Sequence, residues 1–217
     1  MNSDFATARM MMVDSQVRPN KVTDRRILDA MRTLPRERFV PVAAQALAYA
    51  DEDVPLGNGR FMTEPMVIAR LIQIAEIVAG ERVLVAAAGS GYGAALAAAC
   101  GGVVTALEDD KSLIALARAA LSGVAGVSLV EGGAAAGWAA GAPYDVVLLD
   151  GAAAEVPEAL AAQVKPHGGR FIGIQSSGRT ARAVIGVLSA GRLALRPVFD
   201  CATPLLPALR REAGFVF

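Results

Sequence analysis

The chain is predicted to fold as α/β, with a doubly wound parallel sheet, on three observations. Short apolar runs alternate with helical patterns from residue 82 onward. A glycine turn, Gly89-Ser90-Gly91, joins one such run directly to an alanine-rich helical stretch. An acid, Glu108, closes the next run about 20 residues on. Strands alternating with helices at this pitch read as βαβ units in a parallel sheet.

The first 65 residues precede this alternation. Residues 21–47 read as helical: Val22, Ile27, Met31 and Leu34 recur near helical spacing behind Thr23 as N-cap, and a second short helix follows Pro35. Residues 51–65 hold two prolines and two glycines and read as loop or irregular strand. Residues 66–78 form an amphipathic helix opened by Pro65. Strands then fall at 82–86, 103–107, 127–130, 144–153 and 168–175, with helices at 94–100, 111–121 and 156–164, and the tail supplies two or three further strands. Residues 1–65 are read as an N-terminal helical and loop cap of the same domain, and residues 66–217 as its core.

Composition narrows the function. With 21 basic and 21 acidic residues among 217, the formal charge is zero, which argues against broad phosphate-backbone binding, so no nucleic acid partner is expected. No apolar run reaches the ~20 residues of a membrane span, and the first residues lack the pattern of a secretory signal. No membrane association and a cytoplasmic location are expected. Cys100 and Cys201 lack metal-site spacing, so no metal is expected. His167, the single histidine, sits in the turn "KPHGG" and reads as structural.

Open parallel sheets bind ligands beyond the carboxyl ends of their strands, at the switch point. The glycine turn, Glu108 and Asp150 all fall there. Glu108 has the spacing of an acid that grips a ribose. Gly89, Gly91 and Gly93 make GxGxG rather than the GxGxxG of a dinucleotide site, which suits a nucleoside without phosphates, such as S-adenosylmethionine. Asp150 is either a strand-end cap or a group beside the cofactor. Trp138 reads as a loop anchor.

The chain resembles the protein-L-isoaspartate O-methyltransferase family over most of its length. The resemblance is carried by "ILDAMRTLPRERFVP", "AYADEDVPLGNGRFMTEP", "VLVAAAGSGYGAALA" and "PYDVVLLDGAAAEVPEALAAQVKPHGGRFIGIQ". It implies a Rossmann-like methyltransferase sheet with C-terminal β additions and S-adenosylmethionine as cofactor. The implied substrate is the isoaspartyl carboxylate of peptides and proteins damaged at aspartyl sites, and the role is protein repair. It also implies cofactor-binding roles for Ala87, Gly89, Ser90, Gly91, Tyr92, Glu108 and Gly133, with Thr63 facing the acceptor.

Several positions depart from the family's pattern. Val85 stands for an acid, Ala87 for a glycine, Gly133 for the aspartate after the third strand, Arg60 for a glutamine, Thr63 for a serine and Asp150 for a threonine. The hydrogen bond lost at Gly133 is worth ~0.5–1.5 kcal/mol. Ala87 is tolerated if its φ is negative. Two readings follow: a divergent active carboxyl methyltransferase, or a methyltransferase fold whose catalysis has faded and which serves as a binding or regulatory module. Nucleic-acid methylation is a poor third, because no aromatic follows the fourth strand to stack a base. If the chain is active, Glu108→Ala is expected to abolish cofactor binding and leave the fold intact.

Overall fold

A computed structural model describes residues 2–177 and 180–210. Nine strands and six α-helices are assigned among them: α1 (Asn2–Met12), α2 (Arg25–Thr33), β1 (Val54–Gly57), β2 (Arg60–Met62), α3 (Pro65–Ala75), β3 (Arg82–Ala86), α4 (Tyr92–Ala99), β4 (Val103–Glu108), α5 (Lys111–Ala120), β5 (Val127–Glu131), β6 (Val146–Ala153), α6 (Glu158–Ala161), β7 (Arg170–Ser176), β8 (Ala181–Ser189) and β9 (Arg192–Cys201).

The main sheet has seven strands in the order β5-β4-β3-β6-β7-β8-β9. Pairing is parallel from β5 through β7 and antiparallel across β7, β8 and β9. The order reverses at β3, so the switch point lies beyond its carboxyl end, flanked by β4 and β6. This is the doubly wound α/β sheet expected, with an antiparallel hairpin as the C-terminal addition.

Strand β3 shows how the apolar runs build both layers. Successive side chains of a strand point to opposite faces. Val83 and Val85 enter the core shared with α2, α3 and α4, while Leu84 and Ala86 enter a second core with Leu107, Tyr144, Leu149 and Phe171. Residues Met12, Val17, Ile27, Met31 and Phe39 from the N-terminal region belong to the first core.

The helix boundaries have local causes. Helix α2 starts one residue later than expected, capped by Asp24, whose side chain accepts from Arg26 N. Thr23 is not the cap; it lies one residue upstream, and the Gln73 side chain accepts from the backbone N–H groups of Thr23 and Asp24. The second helix expected before residue 47 is two 3₁₀ stretches, Arg36–Phe39 and Val42–Leu47, each entered from a proline. Helix α3 begins at Pro65 and ends where Glu76 turns left-handed (φ 48). The expected 156–164 helix shrinks to α6, as Tyr144 N bonds Gln163 O and draws that segment back to the sheet. Residues 51–65, expected as loop or irregular strand, form the antiparallel β1–β2 hairpin, whose tip of Gly57, Asn58 and Gly59 has positive φ throughout.

Candidate active site

The hairpin lies over the glycine turn at the switch point. The Asn58 side chain donates to Asp110 Oδ2 (2.7 Å), which ties the hairpin tip to the loop after β4. A Cβ on Gly89 would meet Leu56 at 3.3 Å, so the hairpin rests directly on the turn. Asp110 also caps α5, accepting from the N–H groups of Ser112 and Leu113, and hydrogen bonds from Ser112 and Asn58 hold its carboxyl down at about 2. The opposite wall is Leu206, Pro207 and Leu209, drawn in by Leu206 N bonding Ala152 O.

Glu108 ends β4 with its side chain buried. Arg60 forks onto it: Nη1 donates to Oε1 (2.8 Å) and Nη2 to Oε2 (2.9 Å). Backbone N–H groups take up the rest of the carboxylate, Gly89 on Oε2 (2.7 Å), Asp109 on Oε1 (3.1 Å) and Asp110 on Oε1 (3.0 Å). A carboxylate offers about four lone-pair positions, so Glu108 is saturated within the chain. Arg60 Nη2 also donates to Ala87 O (3.0 Å), which places the guanidinium across the trough. Glu108→Ala would therefore disturb the fold, contrary to the expectation that it leaves the fold intact, because it strips a buried cation of its counter-ion.

Ala87 adopts φ +55. The condition on which an alanine was tolerable there, a negative φ, is not met. The left-handed region costs a residue with a Cβ about 1–2 kcal/mol, partly offset in the unfolded chain. Ala87→Gly is expected to raise stability by about 0.5–1 kcal/mol, seen as a melting point roughly 1–4 °C higher. An unchanged or lower melting point contradicts that reading of the strain.

Gly91 (φ +90) enters α4 with Leu121 packed where a Cβ would be, 2.8 Å away. Ser90 is buried in the turn. Tyr92 points inward: it is 2% exposed, edge-on to Phe39, with the Arg36 guanidinium 4.6 Å from its ring centre. Val85 is core. Gly133 follows β5 and has Asp109 as its polar neighbour, and Glu131 is exposed on β5. Trp138 fixes its loop, its N–H bonding the Gln163 side chain and its carbonyl accepting from Tyr144.

Thr63 follows β2 and is buried. Its hydroxyl donates to Asp150 Oδ1 (2.9 Å), and its carbonyl accepts from Arg36 Nη2 (2.7 Å). Asp150 lies within β6 rather than capping its end, where pairing with β7 shifts register. Burial is the main cause that pushes its carboxyl up to about 6, against the Thr63 hydrogen bond and the Arg60 and Arg36 charges. A Cβ on Gly93 would stand 2.5 Å from Asp150 Oδ2, so the third glycine of the turn makes room for this carboxyl.

Ala87, Gly89, Ser90 and Asp150 line one small cavity, with Glu108 held on Gly89 N and Thr63 on Asp150. Two residues without a role in the sequence reading, Arg60 and Arg36, organise it. No local pattern in the sequence singles them out, since each has an acid close by in the chain, Glu37 beside Arg36 and Glu64 four residues after Arg60.

The family model described as "Protein-L-isoaspartate(D-aspartate) O-methyltransferase (PCMT)" matches residues 8–187. A protein-L-isoaspartate O-methyltransferase of Methylorubrum extorquens is 42% identical over 166 residues, 76% of this chain and 73% of its own length. That of Koribacter versatilis is 36% identical over 199 residues, 91% of this chain and 89% of its own. A solved Plasmodium falciparum structure, described as a beta-aspartate methyltransferase in complex with S-adenosyl-L-homocysteine, superposes with TM-score 0.74 at 17% identity, covering 91% of this chain and 97% of that one. Another solved protein-L-isoaspartate O-methyltransferase gives TM-score 0.75 at 22% identity, covering 93% of this chain and 65% of that one; at these identities both bear on the fold alone. By the family match and these relatives, the chain belongs to the protein-L-isoaspartate(D-aspartate) O-methyltransferase family.

Proposed function

We propose that the chain is an S-adenosylmethionine-dependent carboxyl methyltransferase acting on isoaspartyl residues of damaged proteins. One observation carries the reading: within a family match over residues 8–187, the glycine turn meets both Glu108, through Gly89 N, and the hairpin, through Leu56, at the switch point, and Thr63 bonds Asp150 beside it. The faded-catalysis alternative is not favoured by relatives at 36–42% identity that carry the transferase name.

The donor set suits the cofactor. Glu108 is an acceptor for ribose hydroxyls, the Gly89 and Ser90 backbone borders the trough, and left-handed glycines keep side chains away. The space suits it only once Arg60 leaves Glu108. The cavity beside Arg60, Ala87 and Asp109 has about 170 Å³ and that beside Ser90, Met62 and Asp150 about 10 Å³, whereas ligand sites run to about 300–1,000 Å³. S-adenosylmethionine supplies an electrophilic methyl group on a sulfonium. The acceptor carboxylate, with an ordinary pKa near 4, is ionised at neutral pH and needs no base. The chain's task is then to position the acceptor, for which ~7–11 kcal/mol is the upper range. Exposed His167, outside the trough lining, takes no part.

Among the described residues no helix is long and apolar enough to cross a membrane. Cys100 and Cys201 are free thiols, which supports placing the reaction in the reducing cytoplasm.

Calorimetric titration with S-adenosylmethionine and S-adenosylhomocysteine, followed by methyl transfer to an isoaspartyl peptide and its aspartyl isomer, tests the reading. Binding with transfer to the isoaspartyl form alone is expected. Absence of heat and of any thermal shift at millimolar ligand would overturn it.

A further inference from the structure

We propose that Arg60 is an internal ligand of the ribose-binding carboxylate, and that the cofactor gains Glu108 only by displacing it. The proposal rests on the methyltransferase reading above. On this view Arg60 is the residue that sets cofactor affinity in this chain.

The geometry is that of an occupied site. Both Glu108 oxygens accept from the Arg60 fork, and backbone N–H groups of Gly89, Asp109 and Asp110 fill what remains. A ribose hydroxyl that donates to Glu108 needs one of those places. The backbone donors belong to the glycine turn and the approach to α5 and cannot leave without unwinding both. Arg60 can leave, because it is a side chain. Its contact with Ala87 O holds the guanidinium on the wall of the larger cavity, against the one residue that lines both cavities.

The element that carries Arg60 is suited to release. Strand β2 is three residues long and pairs only with β1, and the tip at Gly57, Asn58 and Gly59 is exposed. Val54, Leu56 and Met62 anchor the hairpin in the core, so release falls to the Arg60 side chain and the exposed tip, where few contacts hold the chain and local opening costs least. The tip is held by Asn58 on Asp110 and by the Arg60 fork itself. Thr63 follows in the same segment, so release of Arg60 changes the strand that presents the acceptor-side hydroxyl.

An internal competitor lowers apparent affinity by the fraction of molecules in which it is displaced. A minor state populated at roughly 1–10% corresponds to a tenfold to hundredfold penalty. The test is calorimetric titration of S-adenosylhomocysteine into the parent, Arg60→Gln and Arg60→Lys, with a thermal melt of each. Glutamine is neutral and cannot fork onto both oxygens, while Glu108 keeps its backbone donors. Arg60→Gln is expected to bind about tenfold to a hundredfold more tightly than the parent, with Arg60→Lys between. If the glutamine variant does not fold, the lysine variant decides by the same ordering. Equal or weaker binding in the variants overturns the proposal and leaves the enzyme assignment standing. Failure of parent and variants alike to bind at millimolar ligand overturns both.

Discussion

Glu108→Ala is expected to cost about 3–5 kcal/mol of stability, the range for stripping one partner from a buried ion pair. For a chain of this size that lowers the melting point by on the order of 10 °C. Arg60 is 8% exposed and its Nη groups donate only to Glu108 and the Ala87 carbonyl, so the alanine variant leaves a buried guanidinium with one neutral acceptor. The opposite truncation is milder. Arg60→Gln leaves the Glu108 carboxylate with the N–H groups of Gly89, Asp109 and Asp110, and a carboxylate that accepts backbone donors remains stable as an anion. Adding Arg60→Gln to Glu108→Ala removes the stranded cation and should recover part of the loss. The coupling between the two changes should be about 1–3 kcal/mol, as for residues in one hydrogen-bonded network. A thermodynamic cycle of the four proteins measures it. Strict additivity, or a neutral Glu108→Ala, would mean that the pair contributes nothing to the fold. The same asymmetry makes Glu108→Ala a poor probe of the cofactor and Arg60→Gln a good one.

Strands β3 and β6 were legible because parallel strands buried on both faces carry nearly unbroken apolar runs. Val83 to Ala86 and Val146 to Leu149 signal burial whichever face each residue takes. Local chemistry also placed the turn after β3 and the acid at the end of β4, since both sit at strand ends. What the sequence hid depends on distant partners. Thr23 and Asp24 are both cap formers, and Gln73, some 50 positions away, accepts from the N–H groups of both and fixes the chain where the helix starts. Arg60 and Glu108 are 48 positions apart, and no periodicity pairs a hairpin residue with the end of a later strand. The neutral total charge conceals such a pair completely. Likewise the φ of Ala87 cannot be read from its type. It is imposed where Ala88 N bonds Leu107 O and the chain turns into Gly89. The chemistry-bearing positions were therefore found as residue types, while their state of pairing, which governs what they can bind, required the folded chain.

Methyl transfer to an isoaspartyl peptide is expected to fall as pH rises through about 6, the value to which burial pushes the Asp150 carboxyl. The acceptor itself is ionised throughout this range, so the ionisation that matters is that of Asp150. Below about 6 its carboxyl is neutral, and the Thr63 hydroxyl 2.9 Å away is free to donate to an incoming carboxylate. Above about 6 the Thr63 proton is committed to Asp150, and a second anion faces the acceptor. Arg60 and Arg36 moderate that charge while Asp53 adds to it. The stability sign agrees. A carboxyl whose folded pKa is raised stabilises the fold fully below its ordinary value near 4, and the contribution, up to about 3 kcal/mol, is lost as pH rises through about 6. Asp150→Asn keeps the shape, cannot ionise, and should give kcat/KM for the peptide that is flat between about pH 5 and pH 8. Melting points of parent and variant across the same range separate loss of fold from loss of transfer. Asp150 has no place in the acceptor pocket if the parent profile is flat, or if the asparagine variant keeps the fall. A matched loss of that slope in the asparagine variant alone assigns the threonine-aspartate pair to acceptor binding, and explains why Gly93 lies against the carboxyl at a position where alanine would not fit.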